Sequence, residues 1–141
     1  MTSHFSGLVA GADRRKIDRL HEKFHLRGKH SIIIPINKRN VHWLFLHIVG
    51  GSAYLYDSLR NEQKLADSLP EGFVSYLKTY HNIVEWHPTP SDYPFQTNGN
   101  DCGAFMLAGI KSIVMGEPDW PWESEDTPYL RHLIARELLQ K

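Results

Sequence analysis

Apolar residues recur along this chain with two periods, and the switches between them divide it into elements. Ile17, Leu20 and Phe24 fall at helical spacing in a charged segment, which predicts an amphipathic helix over roughly Asp13 to Leu26. Ile32-Ile33-Ile34-Pro35-Ile36 and Val41 to Val49 are apolar and rich in β-branched residues, predicting two strands joined by the polar turn Asn37 to Asn40. Pro35 has no N–H to donate, so its strand belongs at a sheet edge or carries a bulge. Gly50-Gly51-Ser52 makes a tight turn into Ala53-Tyr54-Leu55-Tyr56-Asp57, which completes a hairpin. Leu59 to Tyr80 reads as helical, broken or restarted at Pro70, with Leu65, Leu69, Phe73, Val74 and Leu77 as its buried stripe. A short strand over Asn82 to His87 follows, then a helix over Gly103 to Met115. A last helix, Pro128 to Leu139, carries Tyr129, Leu130, Leu133, Ile134 and Leu138 on one face. Strands in the middle with helices on either side make an α+β domain.

A length of 141 residues with 41% hydrophobic content suits one domain over 1–141 with one core, and there is no internal repeat or low-complexity tract. Sixteen basic residues balance sixteen acidic ones, so no global charge points to nucleic acid. The charges are unevenly placed. Basic residues dominate Arg14 to Lys29, whereas Glu117, Asp119, Glu123, Glu125 and Asp126 run without a Lys or Arg among them, and both stretches read as solvated surface. A single cysteine excludes an internal disulfide, and the sequence has no secretory segment and no membrane-length apolar run. The expectation is a monomer in a reducing intracellular setting, nucleus or cytoplasm, with no nucleic-acid or membrane partner, no cofactor and no metal.

His21-Glu22-Lys23-Phe24-His25 matches the H-E-x-x-H pattern, in which two histidines one helical turn apart bind zinc and the glutamate acts as base. Gly28 falls where the longer form of that pattern wants it. The third histidine should then occupy position 31, which is Ser31, and His30 comes one residue early. No Met-turn is evident, and little chain precedes the helix to build the sheet such enzymes use. The pattern therefore reads as a solvated helix face, with a zinc protease through His21 and His25 as the minor alternative.

Cys102 offers different chemistry. Asn98 to Asp101 favour turns and helix N-caps, so Cys102 should sit in the first turn of the helix that follows, facing free backbone N–H groups and the positive end of the helix dipole. Both favour thiolate, the reactive form. Gly103 has no Cβ and lets a substrate come close. A cysteine peptidase also needs a base, a carboxylate to orient it and donors for the oxyanion. Three polar residues break the apolar pattern: His42 inside a strand, Asp57 at the end of the next, and Gln96 six positions before Cys102. Counting outward from the Gly50-Gly51 turn gives eight residues to His42 (50 − 42) and six to Asp57 (57 − 51), so the two should be diagonal neighbours on one face. Taken singly, His42 reads as a core histidine, Asp57 as a turn residue, Cys102 as a small buried hydrophobe and Trp43 as core.

Together, four runs carry a resemblance. Ile34-Pro35-Ile36-Asn37, His42-Trp43, Tyr56-Asp57-Ser58-Leu59 and Gln96-Thr97-Asn98-Gly99-Asn100-Asp101-Cys102-Gly103, in that order, resemble the catalytic core of the ubiquitin-like-protein-specific cysteine proteases, the sentrin-specific family related to the adenovirus proteinase. Asp126-Thr127-Pro128-Tyr129-Leu130-Arg131 resembles the family's closing helix. The resemblance implies a papain-like α+β fold of the adenovirus-proteinase type, with a central mixed or antiparallel sheet flanked by helices. It implies His42 as general base, Asp57 as its orienting carboxylate, Cys102 as nucleophile, and Gln96 with the Cys102 backbone N–H as oxyanion hole. It makes Trp43, with Gly103 beside it, part of the channel for a modifier's C-terminal Gly-Gly tail. The implied partner is a ubiquitin-like protein and its conjugates, SUMO first, with ubiquitin, a Nedd-type modifier or a viral polyprotein as alternatives. Nothing before Phe5 matches the Trp-Leu-x-Asp segment with which family domains usually begin. A channel with one wall is therefore expected, closed if at all by Phe95, Trp120 or Trp122, and a modifier-binding module with weak turnover is the alternative of another class.

Overall fold

The computed structural model describes residues 14–23, 28–61, 69, 71–116 and 119–140. Its elements are α1 (Arg14–Lys23), β1 (Ser31–Lys38), β2 (His42–Val49), β3 (Ser52–Tyr56), α2 (Glu71–His81), β4 (Glu85–His87), α3 (Cys102–Met115), a 3-10 turn (Ser124–Asp126) and α4 (Thr127–Leu139). The chain before residue 14, together with Phe24, His25, Leu26, Leu65, Pro70 and Glu117, lies outside the described residues, as do the side chains of Ile17 and Leu20.

The strands form one sheet in the order β1-β2-β3-β4. The first three are antiparallel and β4 runs parallel to β3, so the sheet is mixed. The edge position inferred from Pro35 holds: it lies opposite Phe45 in the outermost strand. Val49 opposite Ser52 closes the β2–β3 hairpin, and Gly50 and Gly51 take φ of 57° and 82°, left-handed values that other residues adopt only with strain. The β1–β2 turn falls later than the polar residues suggest, because β1 runs on through Lys38. Arg39 and Asn40 make the turn with φ of 54° and 60°, and the Asn40 N–H donates to Asn37 Oδ1 at 2.7 Å.

The helix expected from Leu59 does not start there. After Asp57 the chain makes a turn in which the Leu59 N–H donates to Asp57 Oδ1 (3.0 Å) and the Arg60 N–H to the Asp57 carbonyl (3.0 Å). Arg60 has φ of 53°, which no α-helix accepts, and its guanidinium donates to the carbonyls of Ser91 and Tyr93, both at 2.8 Å. Likewise Asn82 (φ 52°) stands outside β4, which is only three residues long.

Side chains alternate across the strands, so each face of the sheet builds its own core. Ile32, Ile34, Ile36, Leu44, Leu46, Ile48, Ala53 and Leu55 pack with Phe73, Tyr76 and Leu77 from α2 and with Leu69, two residues ahead of it. On the other face Phe45 and Tyr56 pack with Tyr93, Phe105, Met106, Ala108, Trp120 and Trp122. Gly109 lets α3 approach this second cluster: a Cβ there would lie 2.7 Å from the Tyr93 hydroxyl and 3.0 Å from Phe45 Cε1. The helix ends at Gly116, whose left-handed φ of 73° caps it. In α4 the apolar stripe is only partly used, since Leu130, Leu133 and Ile134 are half-buried whereas Tyr129 and Leu138 are exposed.

Candidate active site

Three chain segments meet where β2 begins, β3 ends and α3 starts. His42 is the first residue of β2 and is buried. Its Nε2 donates to Asp57 Oδ1 at 2.7 Å, and Asp57, one residue past β3, has no exposed surface. Asp57 is held by its own backbone as well, its N–H donating to the Thr89 hydroxyl at 2.9 Å. The hydrogen bond to Asp57 raises the His42 pKa above the ordinary 6.5; burial opposes this, and a hydrogen bond with Cys102 reinforces it. His42 thus stands between a carboxylate and the thiol, with its protonated form favoured.

Cys102 opens α3 and is buried. Asp101 precedes it at the N-cap position, yet its side chain makes no capping bond to the helix; the Asp101 carbonyl accepts the Phe105 N–H at 3.0 Å. The first-turn N–H groups are therefore not capped by the Asp101 side chain. Gly103 leaves space on the side of Trp43, whose Cδ1 lies 3.8 Å from where a Cβ on residue 103 would sit. Trp43 is half-buried, so one part of its ring is held while another stays accessible.

Gln96 is 1% exposed, and both ends of its amide are engaged. Oε1 accepts from the Ser58 hydroxyl at 2.7 Å, and Nε2 donates to the Asn98 carbonyl at 2.6 Å. The Gln96 backbone N–H donates to the Ser58 carbonyl at 2.8 Å, which ties the loop of Cys102 to the end of β3. The structure thus brings together an imidazole bonded to a carboxylate and a thiol at a helix N-terminus, with Gln96 anchored on the loop that leads to Cys102; imidazole, carboxylate and thiol are the types of group that acyl transfer through a thioester uses.

Other residues singled out in the sequence fall elsewhere. Trp120 and Trp122 are buried against Tyr93, with ring centroids 4.9 and 5.9 Å away, in the cluster against which Trp43 also packs. Phe95, next to Gln96, is 51% exposed. His21 is not on a solvated face. It is 4% exposed, its Nδ1 lies 3.2 Å from the Tyr76 hydroxyl, and its ring packs against Tyr80 in a tilted arrangement with centroids 4.6 Å apart. His81 Nε2 meets the same hydroxyl at 3.1 Å, and burial, then the nearby His21, pushes the His81 pKa down to about 4. His25 lies outside the described residues. Among the described residues no group of three His, Cys, Asp or Glu could hold a metal ion.

Sequence reasoning missed the supports. Ser58 follows Asp57 directly, Thr89 stands between two prolines, and Arg131 sits in the segment that resembles a closing helix. A polar residue flanked by Pro88 and Pro90 was a usable signal for Thr89, since the ring-constrained backbone presents its hydroxyl in a fixed direction. For Arg131 no local signal exists, because its partner Asp101 is thirty residues away.

Comparisons with known proteins point the same way. Residues 6–140 match the family described as Ulp1 protease family, C-terminal catalytic domain. The chain is 32% identical over 143 residues to ubiquitin-like-specific protease 1A of Arabidopsis thaliana, covering 96% of this chain and 28% of that protein. It is 26% identical over 136 residues to mouse sentrin-specific protease 5, covering 88% of this chain and 17% of that one. Its fold matches the C-terminal Ulp1 protease domain solved in complex with the yeast orthologue of SUMO, with a TM-score of 0.78 and 20% identity over 98% of this chain and 66% of that one. It also matches the Xanthomonas campestris effector XopD bound to ubiquitin, with a TM-score of 0.61 and 24% identity over 84% of this chain and 63% of that one. The chain spans well under a third of the length of both curated relatives.

Proposed function

The chain belongs to the Ulp1 protease family, matched through its C-terminal catalytic domain, and from that premise we propose that it is a thiol peptidase that cleaves after the C-terminal Gly-Gly of a ubiquitin-like modifier, with SUMO as the first substrate. The observation that carries the reading is the position of His42, bonded to Asp57 at 2.7 Å and raised in pKa by both Asp57 and Cys102. SUMO is favoured over ubiquitin because the relatives found by sequence are named for ubiquitin-like or sentrin substrates.

In this mechanism Cys102 gives its proton to His42, and the thiolate attacks the carbonyl carbon of the modifier's terminal glycine. The oxyanion that forms is met by the Cys102 backbone N–H and by the Gln96 Nε2–H not used by Asn98. Collapse breaks the C–N bond and the imidazolium protonates the departing amine, a lysine side chain in a conjugate or a backbone nitrogen in a precursor. Water, deprotonated by His42, then hydrolyses the thioester and frees the thiol. Asp57 keeps the imidazole oriented throughout and offsets its charge. Trp43 and Gly103 line the approach, with Gly103 leaving the backbone beside the thiol open toward the indole. In this reading the acid, base, nucleophile and oxyanion donors all come from this chain, and only substrate and water are supplied to it. The same reading has the domain act as a monomer inside the cell, in nucleus or cytoplasm.

The test is incubation with SUMO, Nedd-type and ubiquitin probes bearing a C-terminal electrophile, with and without a chelator. A chelator-resistant adduct at Cys102 with the SUMO probe is expected. Reaction with another probe alone would change the substrate, binding without an adduct would make the chain a binding module, and chelator-sensitive proteolysis would return the reaction to His21 and His25.

A further inference from the structure

The two polar ends of Gln96 are not equivalent in what they fix. The Asn98 carbonyl can only accept, so the amide end facing it at 2.6 Å must be nitrogen; a flipped amide would press two acceptors together. That contact consumes one of the two N–H bonds on Nε2 and leaves the other to aim elsewhere. The direction of this second N–H depends on the rotation of the amide plane, which is set by what holds Oε1. The holder is Ser58, 3% exposed, whose hydroxyl proton points at Oε1 from 2.7 Å while its carbonyl accepts the Gln96 backbone N–H at 2.8 Å.

We propose that Ser58 is a positioning residue that fixes the Gln96 side-chain amide so that its free N–H aims at the oxyanion over Cys102. The proposal rests on the reading of Gln96 as an oxyanion donor. Ser58 adjoins Asp57, so one turn at the end of β3 carries both the carboxylate that orients the base and the hydroxyl that orients the donor. The second anchor, Asn98, is itself fixed, its Oδ1 accepting the backbone N–H groups of Asn100 and Asp101 at 3.0 and 3.1 Å. Without the Ser58 hydroxyl, Oε1 is a buried acceptor with no donor, and the amide gains by rotating toward any other N–H or toward water. That rotation carries the free N–H of Nε2 off its line. The loss falls on the transition state, because the substrate's neutral carbonyl takes far less from the donor than the oxyanion does.

Four proteins test this: Ser58→Ala, Ser58→Thr, Gln96→Ala and the double Ser58→Ala/Gln96→Ala. Each is assayed for kcat and KM on a SUMO C-terminal amide, and for the rate at which iodoacetamide alkylates Cys102. Alkylation forms no oxyanion, so it reports thiol reactivity and folding without the donor. Removing one oxyanion donor costs about a hundredfold or more in kcat, and a misaimed donor should forfeit about tenfold of this. Ser58→Ala should therefore lower kcat about tenfold with KM and alkylation nearly unchanged, and Ser58→Thr, which keeps the hydroxyl, should recover most of the loss. In the Gln96→Ala background the added Ser58→Ala should cost less than twofold, since the group it positions is gone. Unchanged kcat in Ser58→Ala would overturn the proposal, and so would an undiminished loss in the double variant or a parallel loss of alkylation. Should Ser58→Ala fail to fold, Ser58→Thr and Ser58→Val give the same comparison at constant shape. Wild-type turnover by Gln96→Ala alone would instead remove the oxyanion reading itself, an outcome distinct from failure at Ser58.

Discussion

His42 Nε2 lies 2.7 Å from Asp57 Oδ1 although the two residues are not cross-strand partners. The β2–β3 ladder runs from Val49 opposite Ser52 to Phe45 opposite Tyr56, and one step further would set Asp57 against Leu44. His42 is two residues beyond that, a diagonal separation that only a long side chain bridges. The offset places the imidazole past the last ladder pair, at the end of the sheet where α3 begins.

The pair sets a pH dependence. The hydrogen bond to Asp57 is the largest influence holding the His42 pKa above 6.5, so imidazolium persists to higher pH in the folded protein than in the unfolded chain. Its contribution to stability is full below pH 6.5 and fades as pH rises through the raised value. Activity that needs imidazolium should fall along an alkaline limb at the same place. Asp57→Asn should move that limb of kcat/KM to lower pH and reduce the maximum about a hundredfold or more, while His42→Ala should bring turnover to near background. An unmoved alkaline limb in Asp57→Asn would separate Asp57 from the base.

Cys102 is the one cysteine of the chain, so its chemistry can be followed without interference. Iodoacetamide at neutral pH should label Cys102 faster than it labels a free-cysteine peptide, by tenfold or so for a thiol paired with imidazolium. Cys102→Ser should retain the fold, measured by its melting temperature, and lose all hydrolysis of a SUMO precursor. Labelling no faster than the peptide's, together with activity in Cys102→Ser, would end the thiol mechanism.

What could be read from the sequence was local periodicity and the spacing about tight turns. The Gly50-Gly51 turn sets the register of β2 on β3, and with it the diagonal offset of His42 and Asp57, from local residues alone. Cys102 at the start of a helix followed from Asn98 to Asp101 for the same reason. The stretch after Asp57 was misread because Leu59 has a helical neighbourhood in sequence, whereas Arg60 is bound to carbonyls at Ser91 and Tyr93, far along the chain. His21 was misread because its partners, Tyr76, Tyr80 and His81, sit on another helix. Such long-range polar contacts leave no periodic trace.

Arg131 gives a further prediction. Its guanidinium donates to Asp101 Oδ1 through Nε (2.8 Å) and Nη2 (2.5 Å) and to the Asn100 carbonyl (2.7 Å), so α4 holds the loop that delivers Cys102. Burial tends to raise the Asp101 pKa, but hydrogen bonds from Asn98 and Arg131 outweigh it and hold the carboxyl below the ordinary range. Asp101 is then an anion one residue from Cys102, where an uncompensated charge would oppose a thiolate. The Arg131 side chain is 54% exposed, so the interaction is screened to about 1 kcal/mol or less, fivefold at most in rate. Arg131→Met should slow Cys102 alkylation two- to fivefold at neutral pH and low salt, and Asp101→Asn added to it should restore the rate. A loss that the second substitution does not repair would make Arg131 a structural tether and nothing more.

The last prediction concerns the joint between α1 and α2. Tyr76 places one hydroxyl between His21 on α1 and His81 beside it on α2, with the Tyr80 ring packed at a tilt against His21. His81 has a pKa of about 4 in the fold against 6.5 in an open chain, chiefly because burial disfavours its charge. The unfolded chain therefore takes up this proton near pH 6.5 and the folded chain only near pH 4. Stability from this group is full above pH 6.5 and is lost as pH falls between those values. Partial solvent access limits the loss to the order of 1 kcal/mol, roughly 4 °C in melting temperature for a domain of this size. His81→Gln keeps a hydrogen-bonding group but does not titrate, so its melting temperature should fall less between pH 7 and pH 5 than that of the unsubstituted protein. The joint lies between α1 and α2, and its residues are not among those placed around Cys102. Turnover per folded molecule at pH 7 should accordingly be the same in both proteins, and melting curves that shift equally with pH would show that His81 carries its proton no differently in the fold.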